Sequence, residues 1–343
     1  MPNKVVTFGE LLLRLSPPGF ERFFQSPVLS ATFGGGEANV AVSLAHFGLN
    51  SCYVTCLPPH AIGDAGVRAL RGEGVDATHI VRAGHRVGIY FAETGASQRP
   101  GTVIYDRAQS AISDIAPGAV AWDAVMAGAS WFHVTGITPA LGEKATAATA
   151  AAIAAAKRAG ARVSVDLNYR KKLWSEAQAQ ATMRPLVREV DVVIANEEDL
   201  QSVLGVHVAG ADVASGALDV AGYRAAAERV TREFGPSIVA VTLRESLSAS
   251  DNGWSAVLWD GASGTMLQSQ RHAVRLVDRI GGGDSFSAGL IYAMLAGRPL
   301  DAALRFAVAA SALKQTIPGD FNRVSVAEVD ALAGGDASGR VRR

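Results

Sequence analysis

Three consecutive glycines, Gly281-Gly282-Gly283, stand directly before Asp284, and an apolar run from Ser287 to Leu295 follows. A turn without side chains exposes backbone N–H groups, and a helix starting there directs its positive end at the same point. That combination binds an anion. Asp284 adds a carboxylate within reach of the anion, where it can take the proton of a substrate hydroxyl attacking a γ-phosphate. A general base of this kind contributes ~10²–10⁴ in rate. The amides of Gly281, Gly282 and Gly283 would stabilise charge developing on the transferred phosphoryl group. An isolated Asp before a helix is ordinarily an N-cap, but a cap alone does not require three glycines, whereas close approach to a phosphate does.

A second glycine cluster, Gly34-Gly35-Gly36, leads into Glu37-Ala38-Asn39. Structurally it reads as a strand-to-helix turn. Functionally it would let sugar hydroxyls approach the backbone at Gly34 and Gly35, with Asn39 as a polar partner. No Gly-x-x-x-x-Gly-Lys-[Ser/Thr] occurs, so a P-loop is excluded. No Gly-x-Gly-x-x-Gly follows the first strand, which counts against a dinucleotide-dependent dehydrogenase.

The surrounding pattern must position these groups. Short apolar segments at 4–8, 131–135, 162–166, 192–195 and 238–242 alternate with helical periodicity at 37–47, 143–158, 176–188 and 221–234. Such alternation predicts an α/β fold with a parallel sheet covered on both faces. Extended segments within 11–33 and an alternating hairpin over 86–107 interrupt it and predict a small sheet outside the main body. A late antiparallel hairpin over 254–272 and two helices, 285–296 and 301–316, close the domain. This gives one domain over 1–330, a loop at 206–222 and an unstructured tail from 331.

Ligands in open α/β sheets bind beyond the carboxyl ends of the strands. Polar residues follow three of those ends: Asp166 and Asn168, then Asn196-Glu197-Glu198-Asp199, then Thr242. They are candidates for the nucleotide side.

Composition agrees with a compact enzyme. The 343 residues are 49% hydrophobic and 19% charged, and 32 basic residues balance 32 acidic ones. Nothing there favours nucleic acid or an anionic membrane. Cys52 and Cys56, four residues apart on one face of an expected strand, lack a second pair for zinc and read as buried thiols. No secretory pattern opens the chain and no 18-residue apolar run occurs, so the expected location is the cytoplasm.

The two glycine motifs, with Asn39 and Asp284 in this order and separation, resemble the signatures of the ribokinase-like, or PfkB, carbohydrate kinases over nearly the whole chain. Thr7-Phe8-Gly9-Glu10, Tyr105-Asp106-Arg107 and Asp166-Leu167-Asn168-Tyr169-Arg170 are most similar to the 2-keto-3-deoxygluconate kinases within that family. The resemblance implies a three-layer α/β/α core with a β-sheet lid, and transfer of the ATP γ-phosphate to a sugar hydroxyl with Mg²⁺. It leaves open a monovalent cation near Asp278, and an exposed lid edge suggests a homodimer. Asn196 to Asp199 resembles an Asn-x-x-Glu element that acts near Mg²⁺, with Glu198 and Asp199 as metal candidates. Tyr90, Tyr105, Arg107 and Arg170 suit a carboxylate-bearing sugar, because a guanidinium fork grips a carboxylate directionally. The bland alternative makes both arginines internal ion pairs. Two departures fall on the adenine end: Thr242-Leu243 is followed by Arg244 rather than Gly, and Val308 stands where a polar residue is common. The rivals are a fructose, ribose or nucleoside kinase of this fold, and a catalytically silent sugar or nucleotide sensor.

Overall fold

The structure is a computed structural model that describes residues 3–208 and 220–339. A nine-stranded sheet forms its centre. Asn50–Val54, Lys4–Phe8, Ala129–Thr135, Arg162–Asp166, Val192–Ala195 and Ile238–Ser246 lie side by side in parallel. Asp251–Asp260 then pairs antiparallel with Ile238–Ser246 and carries Thr265–Gln268 and His272–Arg275 beyond it.

Alternation along each strand divides the core in two. Val5, Ile194 and Ala240 face the helices Gly36–His46, Gly282–Leu295, Leu300–Lys314 and Val326–Ala333. Val6, Val193 and Val239 face Trp122–Met126, Glu143–Arg158, Glu176–Val187 and Val220–Phe234. Helices on both faces explain why Val192–Ala195 is apolar at every position. The Gly282–Leu295 helix packs closely on Leu300–Lys314: a Cβ on Gly289 would stand 2.8 Å from the Ala307 Cα. That contact sets the axis of the helix whose first turn carries Asp284.

The second sheet has four strands in the order Ser30–Gly34, Leu12–Ser16, Gly88–Glu93 and Thr102–Asp106. It matches the small sheet expected from 11–33 and 86–107. Leu12, Tyr90 and Ala92 make its own small core against Val103 and Ile280. The tip of its hairpin touches the turn between Ile238–Ser246 and Asp251–Asp260 of the main sheet: Ala249 N–H donates to Ser97 O at 2.8 Å, and Ser97 N–H donates to Ser250 Oγ at 2.9 Å.

Three expectations are corrected. The last helix runs through Ala333, opened by a capping box between Ser325 and Glu328, so the stretch from 331 starts as structure. Cys56 leaves the Cys52 strand and enters a separate pairing with Val81–Arg82, so the two thiols do not share one strand. Val308, set at the adenine end in the sequence reading, is fully buried in the apolar core. Most of the 206–222 loop lies outside the described residues. Both thiols are free and buried; burial and the charge of Asp76 push Cys52 up to about 12.

Candidate active site

A cavity of about 840 Å³ opens between the carboxyl ends of the parallel strands and the four-stranded sheet. Gly35, Asn39, Tyr90, Tyr105, Arg107, Asp166, Asn168, Arg170, Asn196, Glu198, Asp199, Thr242, Gly281, Gly282, Gly283 and Asp284 all line it. Residues from strand ends, two glycine turns and the small sheet thus converge on one volume. Gly34 lies behind the wall, where a Cβ would collide with the Asp320 carboxylate at 2.0 Å.

Asp284 occupies the first turn of its helix, but it is not the cap. Gly281 caps the helix in the left-handed region, φ 85°, a conformation natural to glycine. The amides of Gly283 and Asp284 follow in the first turn, where no intrahelical acceptor exists. Asn39 Nδ2 donates to Asp284 Oδ2 at 2.7 Å, and Gly35 N–H donates to Asn39 Oδ1 at 3.2 Å. Asn39 therefore fixes the base as well as lining the pocket. Burial, reinforced by the charge of Asp320, raises the Asp284 carboxyl to about 6 against the Asn39 hydrogen bond. A carboxyl in that range is ionised at neutral pH yet remains basic enough to accept a proton.

The residues assigned to the acidic end of a sugar divide. Arg107 is ion-paired with Glu10, its Nε 2.7 Å from Glu10 Oε2. It stacks over Tyr105, with Cζ 5.3 Å from the ring centroid. Tyr90 faces Tyr105 across the strand pair and donates to Asp320 Oδ1 at 2.6 Å. Arg170 is exposed and lines the cavity, and among the described residues it donates only to its own neighbour's carbonyl, Tyr169 O, at 2.8 Å. The internal-pair reading thus describes Arg107, and Arg170 keeps a guanidinium for an anion. Arg244 and Arg279 also line the cavity without an ion pair to a described carboxylate. Burial and mutual repulsion with Arg244 lower Arg279, as expected where two cations await polyphosphate.

The acidic residues sort similarly. Asn196 caps its helix, its Oδ1 accepting from Asp199 N–H at 2.9 Å, and Asp199 Oδ2 answers by accepting from Asn196 N–H at 3.2 Å. Asp199 Oδ1 accepts from Tyr169 N–H at 2.9 Å. Each oxygen of Asp199 accepts one backbone hydrogen bond, so the carboxylate anchors two loops while lining the cavity. Asp166 and Glu198 line the cavity. Burial and repulsion from Asp199 and Asp284 push Asp166 well above the usual carboxylate range. A divalent cation would relieve that repulsion; among the described residues no group of three or more His, Cys, Asp or Glu could hold a metal ion alone, so Mg²⁺ at Asp166 and Glu198 would complete its shell with water and phosphate oxygens. Asn168 beside them adopts φ 42°, which Asn tolerates better than most residues.

Three residues were not legible from the sequence. Glu37 is buried beneath the first glycine turn, its Oε1 accepting from Thr135 N–H, Thr135 Oγ1 and Thr138 Oγ1 at 2.8, 2.9 and 2.6 Å. Burial raises its carboxyl to about 7. Asp320, 4% exposed, accepts from Tyr90 and from Arg14 Nη1 at 2.8 Å. Arg14 reaches from the small sheet to Asp278 Oδ2 at 2.6 Å as well. Arg14 stands in an apolar run, Glu37 directly after a glycine turn and Asp320 after Pro-Gly, settings that ordinary surface residues share.

A three-layer core, a small covering sheet and an anion hole with an adjacent base define a carbohydrate kinase of the ribokinase-like class. The chain belongs to the pfkB family of carbohydrate kinases, which it matches over residues 3–322. It is 35% identical to the 2-dehydro-3-deoxygalactonokinase of Haloferax volcanii, over 98% of this chain and 99% of that one. It is 30% identical to the 2-dehydro-3-deoxygluconokinase of Thermoproteus tenax, over 92% and 89%. The crystal structure of a 2-dehydro-3-deoxygluconokinase from Thermotoga maritima superposes with a TM-score of 0.93 at 47% identity, covering 97% of this chain and all of that one. Among the described residues no helix is long and apolar enough to cross a membrane.

Proposed function

We propose that this protein is an ATP-dependent sugar-acid kinase that converts 2-keto-3-deoxygluconate to its 6-phosphate. The observation that carries the reading is the Arg170 guanidinium, which has no ion-pair partner among the described residues and lies in the same cavity as the Asp284–Asn39 pair. The relatives named above act on ketodeoxy sugar acids, which supports a carboxylate-bearing acceptor.

Asp284 takes the proton of the attacking hydroxyl, and Asn39 keeps its carboxylate aimed while it does so. The amides at Gly283 and Asp284 face the developing charge, with Arg244 and Arg279 on the polyphosphate. Mg²⁺, held through Asp166 and Glu198, would neutralise charge on the β- and γ-phosphates. Tyr105 and the Tyr90 strand close over the sugar and exclude water, which would otherwise intercept the phosphoryl group. The enzyme works in the cytoplasm as a homodimer in this reading, with the exposed strand edge of the small sheet as the contact.

Steady-state kinetics with ATP, Mg²⁺ and a panel of ketodeoxy acids and neutral sugars tests it. Turnover should favour the acids, and Arg170→Ala should raise the sugar-acid KM by ~10–100-fold, the loss of one charge-assisted hydrogen-bonded contact. An unchanged KM in that variant removes the carboxylate assignment. Preference for fructose or ribose selects the neutral-sugar rival, and no ATP consumption with any sugar selects the sensor.

A further inference from the structure

Lys314 ends the Leu300–Lys314 helix and is fully buried. Its Nζ donates to Asp278 O at 3.1 Å and to Ile317 O at 3.4 Å. Its Cε lies 3.2 Å from where a Cβ on Gly281 would stand. The ammonium therefore sits beneath the turn that forms the anion hole, joining it by backbone oxygens to the segment that follows the helix. Backbone carbonyls converging on one buried point are the ligand set of a hard cation. Here a side chain supplies the cation.

The charges around it close without an external ion. Arg14 and Lys314 stand against Asp278 and Asp320, all four buried. Asp278 Oδ1 accepts from Ile280 N–H and Oδ2 from Gly319 N–H, both at 3.1 Å. Removing the ammonium would leave a net negative charge next to Asp284 and the transferred phosphoryl, and two carbonyls turned inward without a donor. Both effects oppose the reaction, and an ion of similar size would cancel both.

We propose that the Lys314 ammonium is a tethered monovalent cation that holds the Asp278–Gly283 turn in its anion-binding form and makes the kinase independent of dissociable potassium or ammonium. Lys314 is a positioning residue that acts through the turn. The inference rests on the kinase reading for its rate measurements, while the thermal measurements below test it even without turnover.

The test compares wild type and Lys314→Met in potassium, ammonium, sodium and choline chlorides at equal ionic strength. Wild-type kcat and Tm should be the same in all four. Lys314→Met in choline should lose at least roughly tenfold in kcat with little change in the KM of the sugar acid, against the ~10²–10³ lost with a whole anion-hole donor. Potassium or ammonium should restore most of that loss, and should raise the variant's Tm in a concentration-dependent way by mass action. Activation of wild type by potassium over choline overturns the proposal. So does a variant that keeps wild-type kcat in choline, or one whose loss no small cation relieves, since a merely structural lysine would give that result. If the variant does not fold, the wild-type cation series decides: insensitivity supports the tether and potassium activation refutes it.

Discussion

The two glycine turns look alike in sequence and differ in what occupies the space their side chains leave. In the first, Cβ atoms on Gly34 and Gly35 would stand 2.0 Å from Asp320 Oδ2 and from Glu10 O, respectively, and one on Gly36 would press on Thr135 at 3.2 Å. In the second, a Cβ on Gly281 would stand 2.2 Å from Asp320 O and one on Gly282 would meet Gln315 at 3.2 Å. Gly283 alone of the six has nothing within 4 Å. Five glycines make room for protein, and one leaves room for a ligand. The first turn is a joint that packs helix, strand and Asp320 together; the second shares that joint but turns its last residue to the cavity. Their anchors differ too, a protonatable carboxyl under the first and an ammonium under the second.

The largest effect that sharpens this contrast is at the base. Asp284→Asn should cost ~10²–10⁴ in kcat without lowering Tm, because it removes a charge whose burial is unfavourable. In wild type the same carboxyl should give kcat/KM an acid limb near pH 6. A variant that keeps activity would show that the second turn only binds.

Next come the glycines themselves. Gly281→Ala and Gly34→Ala should each lower stability by about 1–4 kcal/mol in denaturant unfolding, through a left-handed backbone or a displaced Asp320. Gly283→Ala should leave stability within about 0.5–1 kcal/mol and act on kcat instead. Equal destabilisation by Gly283→Ala and Gly281→Ala would break the distinction between packing and ligand glycines.

The smallest effect concerns the anchor of the first turn. The Glu37 carboxyl sits at about 7 when folded, above its ordinary 4.5. The folded state therefore binds the extra proton, and stability should fall as pH rises from about 4.5 to 7. Glu37→Gln keeps an oxygen for Thr135 and Thr138 and should flatten that slope with little loss at pH 5. Glu37→Ala should lose Tm at every pH, since three donors are left unpaired. Thermal melts across pH separate the two variants.

Much of the fold was legible because its signals are local. The helix 143–158 and the strands 4–8, 162–166 and 192–195 have the bounds that their composition suggests. Trp122–Met126 was not legible, as five residues are too short to show a period. The polar site residues could be gathered because strand ends, glycine turns and the hairpin each advertise themselves. What could not be read is the partner of each charge. Arg107 and Arg170 look equivalent in sequence, and only the fold brings Glu10 to one and not the other. Likewise Asp199 reads as a free carboxylate until Asn196 and Tyr169 are seen to donate to its two oxygens. Arg14, Lys314 and Asp320 come together across about three hundred residues, a separation at which sequence pattern carries no information on contact.

The two hydrogen bonds that join Ser97 to the Ala249-Ser250 turn, one accepted and one donated by Ser97, have a kinetic consequence. At about 0.5–1.5 kcal/mol each, they favour a seated hairpin tip over a lifted one by only a factor on the order of 5–150. The lifted form stays thermally accessible, on the microsecond-to-millisecond scale of lid motions. Turnover can then be paced by departure of the phosphorylated sugar, and strengthening this clasp would slow the enzyme while leaving its chemistry untouched.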